Sequence, residues 1–339
     1  MDILEVEVVS KLSTVNPEYK KINLAIPFHQ LDSLRLTSYF ILLFSKNWSG
    51  QEFSQFISKI EKNETYFVVS SPYFLNNSSF YFPVTKSFFN FLEEKLKIEY
   101  EKIFQDRKEL EDIKYFPILE LEKVNDEEFL KKVKEDNKKF KEEVYFRIKN
   151  QLSRDNLESK NVYAVETHYI NPFRFFVMVD EEYKQKLLTS IFSGSSIHFL
   201  GKRISIGFGL VKFNLDTKIL EIFKKNLIQI PKEKVEEGYY YLSNRLIITK
   251  EVKELVNWEK SYYEIIKISG YLVKEDKLIG RSVFCLKEGS ILHIKQNDGL
   301  KNSIYKIEKE NTGKKYFLPN LPILIKIPYK EVKVWVNML

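Results

Sequence analysis

The order in which strand-like and helix-like segments follow one another constrains this chain more than any single motif. Ile3–Val9 alternates apolar and acidic residues, the pattern of a half-buried strand with its acids in water. Leu34–Phe44 reads as a buried helix, and Gln51–Glu61 as an amphipathic one with Phe53, Phe56, Ile57 and Ile60 on one face. Thr65–Ser71 and Phe80–Val84 read as strands, with turn residues Asn76, Asn77, Ser78 and Ser79 between them. Val162–Thr167 and Phe173–Val179 follow as strands, Glu181–Phe192 as a helix and Leu210–Leu215 as a strand. From Gly238 the pattern turns to strands: Tyr239–Thr249, Tyr263–Ile268, Ser282–Leu286, Ser290–Ile294 and Ile323–Ile327. Strands and helices mix without a regular βα alternation, which predicts an α+β protein with antiparallel sheets. Residues 1–215 fit one β-α-β-β-α-β module with long insertions.

That module is ferredoxin-like (RRM-like), and the expected division is 1–230 and 231–339, with Pro231 and the Lys/Glu run around it at the boundary. Residues 88–146 are dense in mixed charge and are expected to form a helical insertion, largely solvated. Asn125 and Glu128 resemble a capping box opening a helix whose broken apolar stripe is Phe129, Leu130, Val133, Phe140 and Val144.

The chain has 339 residues, 44% hydrophobic and 15% aromatic, enough to bury two cores rather than remain disordered. Its 27 Phe and 20 Tyr fit either core or a subunit interface. A net charge of +7 is compatible with a polyanionic partner and equally with simple solubility. A single cysteine, Cys285, excludes a disulfide framework and a cysteine zinc site, and fits a reducing, cytoplasmic setting. The opening MDILEVEVVS reads as a strand and not a signal peptide. Tyr39–Phe44 is far shorter than the ~20 apolar residues of a membrane span, so no transmembrane protein is expected.

The stretch GKRISIGFG, 201–209, concentrates three of the 11 glycines. It fails as a P-loop, because Phe208 rather than Lys follows the second glycine. It fails as a dinucleotide fingerprint, because it follows a helix and opens a strand. Two readings remain. Residues Gly201, Gly207 and Gly209 let a ribose-phosphate chain approach the backbone amides, Lys202 and Arg203 supply charge, Ser205 a donor and Phe208 a stacking face. Alternatively the stretch is a tight turn with a bulge entering the strand, and Phe208 is core.

The order of the segments resembles the RAMP superfamily of CRISPR effector proteins, and specifically the type III-A (Csm) subunit that caps the 5′ tag of the guide RNA. Residues 68–84, VVSSPYFLNNSSFYFPV, are similar to that family's Ser-rich, Pro-bearing segment leading to an aromatic strand. RKELEDIKYFPILELE (107–122) and QLSRDNLESKNVYAVE (151–166) are similar to its lysine-rich stretch and its Arg-centred turn. GKRISIGFG resembles its glycine-rich loop, YYYLSNRLI (239–247) the opening strand of its second domain, and LKEGSILHI (286–294) its late Gly-Ser strand start. HQLDSLRLTSYF (29–40) departs from the family's His-Ser-Asp-Thr-like run.

The resemblance implies a degenerate ferredoxin-like fold for the second domain as well. It implies that Gly201, Lys202, Arg203, Ser205, Gly207, Phe208 and Gly209 hold the repeat-derived tag. A β-hairpin thumb over about Tyr145–Val162, with Arg154 on RNA, would wedge the duplex of guide and target. The implied partners are guide RNA, target RNA through that duplex, the large signalling and nuclease subunit, and backbone RAMP subunits. No cofactor, metal or membrane is implied.

The implied role is non-catalytic. His29, His168, His198 and His293 show no metal-ligand spacing such as H-E-x-x-H. Processing relatives cleave repeat RNA with a histidine, so His29 and then His198 are the residues an endoribonuclease reading would use. Slicing relatives use an aspartate, for which Asp32 and Asp155 stand in position. Cys285 reads as core. A protein-only adaptor is the third reading.

Overall fold

Two neighbours of the first strand decide the topology. The computed structural model describes residues 2–11, 21–98, 104, 107–152, 159–192, 197–200, 209–216, 227–228, 234–274, 277–296, 303–308 and 315–327. Asp2–Ser10 pairs antiparallel with Leu210–Asp216, from Glu5↔Asp216 to Ser10↔Val211. Its other edge pairs antiparallel with Phe173–Val179, from Asp2↔Val179 to Val8↔Phe173. Phe67–Val69 extends the sheet past Phe173–Val179, and Ile197–Phe199 closes the opposite edge.

The α-helices among the described residues are α1 (Ser33–Asn47), α2 (Gly50–Glu61), α3 (Lys86–Lys95), α4 (Arg107–Glu111), α5 (Glu127–Lys139), α6 (Glu181–Ser190) and α7 (Lys250–Leu255). Helices α1 and α2 connect the first and second strands of the β-α-β-β-α-β unit, and α6 lies between the third and fourth. The spatial order fourth-first-third-second, all antiparallel, is the ferredoxin-like arrangement expected from the sequence.

Helix α1 forms where expected because Asp32 caps it, accepting from the Arg35 amide, and because Leu36, Phe40 and Phe44 recur at helical spacing and are buried. The Phe40 ring reaches three strands at once, 6.0 Å from Phe67, 5.8 Å from Phe175 and 5.9 Å from Phe213. Helix α2 opens with a Ser49–Glu52 capping box and buries Phe56 and Ile60. The turn expected at 76–79 closes the hairpin of Phe74–Asn76 with Ser79–Pro83, and Asn77 and Ser78 both take positive φ.

The other face of the sheet corrects the first expectation. Glu5 does not face water: it is fully buried, bonded by the Tyr73 hydroxyl at 2.6 Å and the Arg174 guanidinium at 3.2 Å. A buried carboxylate demands such partners. This face is covered by Tyr73, whose ring lies 4.8 Å from Phe176 and 4.9 Å from Phe82, and the layer continues to Tyr241, 5.6 Å from Phe82.

Tyr241 belongs to a second antiparallel sheet, in the order Leu227–Ile228, Leu324–Lys326, Gly238–Leu242, Ile291–Ile294, Val256–Tyr262. Leu227–Ile228 precedes the boundary expected at 230 yet lies in this sheet. Helix α7 and the strand Val256–Tyr262 have no counterpart in the sequence reading; α7 spans only Lys250–Leu255, too short for its period to register. The modules share one core cluster and are tied across it. The Ser71 amide donates to Ser243 O at 2.8 Å, and the Tyr241 hydroxyl to Pro83 O at 2.6 Å. Gly289 holds φ +89° against residues 83–85, where a Cβ would meet Pro83 O at 2.7 Å. Arg245 bridges Asp32 at 2.6 Å and Glu288 at 2.7 Å.

Residues 88–146 are helical in part but not largely solvated. Phe88, Phe89, Phe91 and Leu92 of α3 and Phe129, Leu130 and Val133 of α5 are buried in the common core. Mixed charge lies on the outer faces of short helices whose inner faces carry the aromatics. Asp126 caps α5, accepting from the Glu128 amide at 2.9 Å, in place of Asn125. Val144 lies beyond the helix, on a strand.

Candidate nucleic-acid interface

Of the residues expected to contact RNA, Gly201, Lys202, Arg203, Ser205, Gly207, Phe208 and Arg154 lie outside the described residues. Both ends of the glycine stretch are described. The Leu200 amide donates to Gly209 O at 2.8 Å, so these two residues meet at the sheet edge. Gly209 is buried with φ +71°, and a Cβ there would fall 1.8 Å from Leu200 O. Only glycine fits both the left-handed backbone and this close approach. Its amide is committed to Asn23 O at 2.7 Å.

The stretch follows a strand, where the sequence predicts a helix. Ile197–Phe199 pairs with Leu210–Asp216, ending at Phe199↔Leu210. Three residues are too few for a strand period to be read.

Asn23 is the link the sequence did not disclose. Its strand, Ile22–Leu24, pairs with Ser159–Ile170 through Ile22↔Ile170 and Leu24↔His168. Ser159–Ile170 is one arm of a long hairpin with Glu143–Leu152, in register from Glu143↔Tyr169 to Leu152↔Ser159. The stem of the glycine stretch and the root of the hairpin therefore rest on the same three residues. The root is bound down: His168 is buried between Glu142 at 2.8 Å and Glu166 at 3.2 Å, Glu142 also accepts from the Phe28 amide at 2.7 Å, and Lys21 pairs with Glu143.

Farther out, the hairpin shows large apolar side chains to water. Phe146 is 70% and Ile148 78% exposed. Val144, Phe146 and Ile148 alternate along the strand and so share one face, opposite Glu166 and Ala164 at Phe146 and Ile148. An unpartnered apolar face of this kind marks an interaction surface.

The residues of the endoribonuclease reading are placed differently. His198 is buried; its Nε2 lies 3.0 Å from Ile191 O, its Nδ1 3.4 Å from the Tyr39 hydroxyl, and its ring stacks 4.2 Å from Phe213. Burial lowers its pKa below the usual histidine value. It is a structural histidine. Asp32 is occupied as the α1 cap and the Arg245 partner. His29 is exposed in the short 3-10 turn Phe28–Gln30; Asp155 lies outside the described residues. Burial pushes the Cys285 thiol up to about 12, the property of a core thiol. Among the described residues no group of three or more His, Cys, Asp or Glu could hold a metal, and no helix is long and apolar enough to cross a membrane.

No family model and no curated protein matches the sequence. Among solved structures, a chain from the crystal structure of the Csm3-Csm4 subcomplex in the type III-A CRISPR-Cas interference complex aligns over 95% of this chain and 99% of its own length, at 18% identity and a TM-score of 0.55. This chain shares the fold of that chain of the Csm3-Csm4 subcomplex. A chain of the Csm1-Csm4 cassette in complex with AMPPNP aligns over 97% of this chain and 99% of its own, at 11% identity and a TM-score of 0.48. One from the type III-B Cmr-beta complex bound to cognate target RNA and AMPPnP covers 85% and 86%, at 13% and 0.44.

The paired strands Glu143–Leu152 and Ser159–Ile170 span the stretch where a β-hairpin is expected, and Gly209 is the last residue of the expected glycine-rich stretch. The apolar face of the hairpin was missed, although V-Y-F-R-I at 144–148 carries the alternation that would have signalled it. Periodicity names a strand's faces but not which of them another element covers.

Proposed function

We propose that this chain is a non-catalytic guide-RNA-binding scaffold subunit of a type III CRISPR interference complex, holding the repeat-derived 5′ tag of the guide. The observation that supports the reading is the joint root at Ile22–Leu24, where Gly209 and the hairpin strand Ser159–Ile170 meet in a fold shared with a chain of the Csm3-Csm4 subcomplex. Gly209 builds the turn; Gly201, Lys202, Arg203, Ser205, Gly207 and Phe208 hold the tag, with cations on phosphates and backbone amides within reach of the strand. The hairpin, with Arg154, meets the duplex of guide and target RNA through Val144, Phe146 and Ile148.

Assembly with backbone RAMP subunits is supported by the shared fold with a chain of the Csm3-Csm4 subcomplex. Docking of the large signalling and nuclease subunit follows from the sequence resemblance. The engaged His198 and Asp32 speak against cleavage by those two residues.

The test is Lys202→Ala with Arg203→Ala in the full chain. Affinity for a single-stranded RNA carrying the tag falls, and the slope of log K against log salt drops by ~0.7 for each phosphate that is no longer neutralised. On this reading both cations face RNA and not the core, so thermal stability is expected to stay within about 0.5 kcal/mol. Unchanged affinity and slope would refute the reading.

A further inference from the structure

A cleft of about 820 Å³ opens well away in sequence from the glycine stretch, lined by the 28–31 turn, residues 71–72 and 83–84, the end of α4 through Tyr115, the last turns of α5 through Glu142, and residues 287–288. Its volume is of the size that takes a small ligand, roughly 300–1,000 Å³. Much of the wall is apolar: Phe28, Leu31, Pro72, Ile113, Tyr115 and Phe140. The aromatic part is held rigid. Phe140 stacks on Phe74 at 4.7 Å and 2°, and meets Tyr115 edge-on at 5.9 Å. Asn137 fixes the neighbouring wall, its Oδ1 accepting from the Lys114 and Tyr115 amides, both at 3.0 Å, and its Nδ2 donating to Tyr115 O at 2.8 Å.

The charges of the lining do not cancel. Lys134 is taken by Glu109, Lys287 by Glu264 and Glu288 by Arg245. Lys114, Lys138 and Lys141 are left without a carboxylate partner among the described residues, against two carboxylates of the lining without a Lys or Arg partner there, Asp112 and Glu142, the latter accepting from the Phe28 amide. All three lysines are exposed. An apolar aromatic wall beside unneutralised ammonium groups suits a ligand with one flat apolar end and one anionic end.

We propose that this cleft binds a nucleoside phosphate, the base against Tyr115 and Phe140 and the phosphate at Lys114, Lys138 and Lys141. The same chemistry is offered by a free nucleotide and by a nucleotide of an RNA strand. The inference does not depend on tag binding, since none of its argument uses residues 201–209.

The test uses the full chain and its Lys138→Glu/Lys141→Glu variant, titrated calorimetrically with AMP, ATP and a 5′-phosphorylated tetranucleotide without the tag sequence. Lys250→Glu/Lys253→Glu, outside the cleft and with the same change of net charge, is the control. Lys141→Gln replaces the double variant if that one melts early. Binding of AMP or ATP that weakens at least about tenfold in the cleft variant and not in the control supports a free nucleotide. The same pattern with the tetranucleotide alone supports a nucleotide within a strand. No binding of any probe by the wild type at millimolar concentration, or equal binding by wild type and cleft variant, overturns the proposal.

Discussion

Replacing Gly209 by alanine tests whether the stem of the glycine stretch is built as described. The residue sits at φ +71°, where an L-residue costs ~1–2 kcal/mol relative to glycine. The added Cβ would lie 1.8 Å from Leu200 O, so Leu200 and Gly209 must separate. Separation puts two backbone hydrogen bonds at risk, Leu200 N to Gly209 O at 2.8 Å and Gly209 N to Asn23 O at 2.7 Å, each worth about 1 kcal/mol net. Gly209→Ala is therefore expected to lower stability by about 3–4 kcal/mol, a large share of the ~5–15 kcal/mol typical of a folded domain. Urea unfolding measures the loss, and hydrogen exchange at the Leu200 and Gly209 amides locates it. Tag RNA binding should fall together with stability, in contrast to the Lys202/Arg203 variant, which affects binding alone. A variant within about 0.5 kcal/mol of wild type, with both amides still protected, would refute the stem geometry and the joint root built on it.

Two further perturbations address the core. Arg245→Met leaves the buried Asp32 and Glu288 carboxylates without their shared cation and is expected to cost ~3–5 kcal/mol, read from thermal or urea unfolding; a change below about 1 kcal/mol would show that this bridge does not hold the modules together. His198 is depressed by burial from 6.5, so its ring takes up a proton more readily unfolded than folded. Its contribution is complete above pH 6.5 and is lost as pH falls through the lower folded value, at up to ~1.4 kcal/mol per pH unit. Stability of wild type and His198→Gln, compared between about pH 7.5 and 5, should converge as pH falls; a constant difference would refute the placement of the ring.

Much of the first module was legible locally. Leu36, Phe40 and Phe44 repeat at helical spacing behind an aspartate cap, and Asn77-Ser78 sits between two aromatic strands; each signal lies within a dozen residues and the structure keeps it. Glu5 was misread because alternation alone assigns acids to solvent, and nothing nearby in sequence announces Tyr73 and Arg174. The charged texture of 88–146 misled in a similar way, since Phe88, Phe91, Phe116 and Phe129 are scattered among lysines and glutamates. The hairpin strands, and the glycine at the foot of the expected loop, could be placed by resemblance; the unpartnered face of Phe146 and Ile148 could not.

By itself the sequence determined much of the alphabet of the protein: most of the longer strands and helices of the first module, that they mix without regular alternation, and that one glycine-rich stretch stands among few glycines. These depend on side-chain periodicity and backbone sterics, which act over a few residues. Only the tertiary structure decided that Asn23 ties Gly209 to the hairpin root, that Arg245 joins Asp32 to Glu288, and that three lysines without a carboxylate partner among the described residues border an aromatic cleft. Such arrangements join residues distant along the chain, and they exist only once burial of the common core has brought the two sheets together.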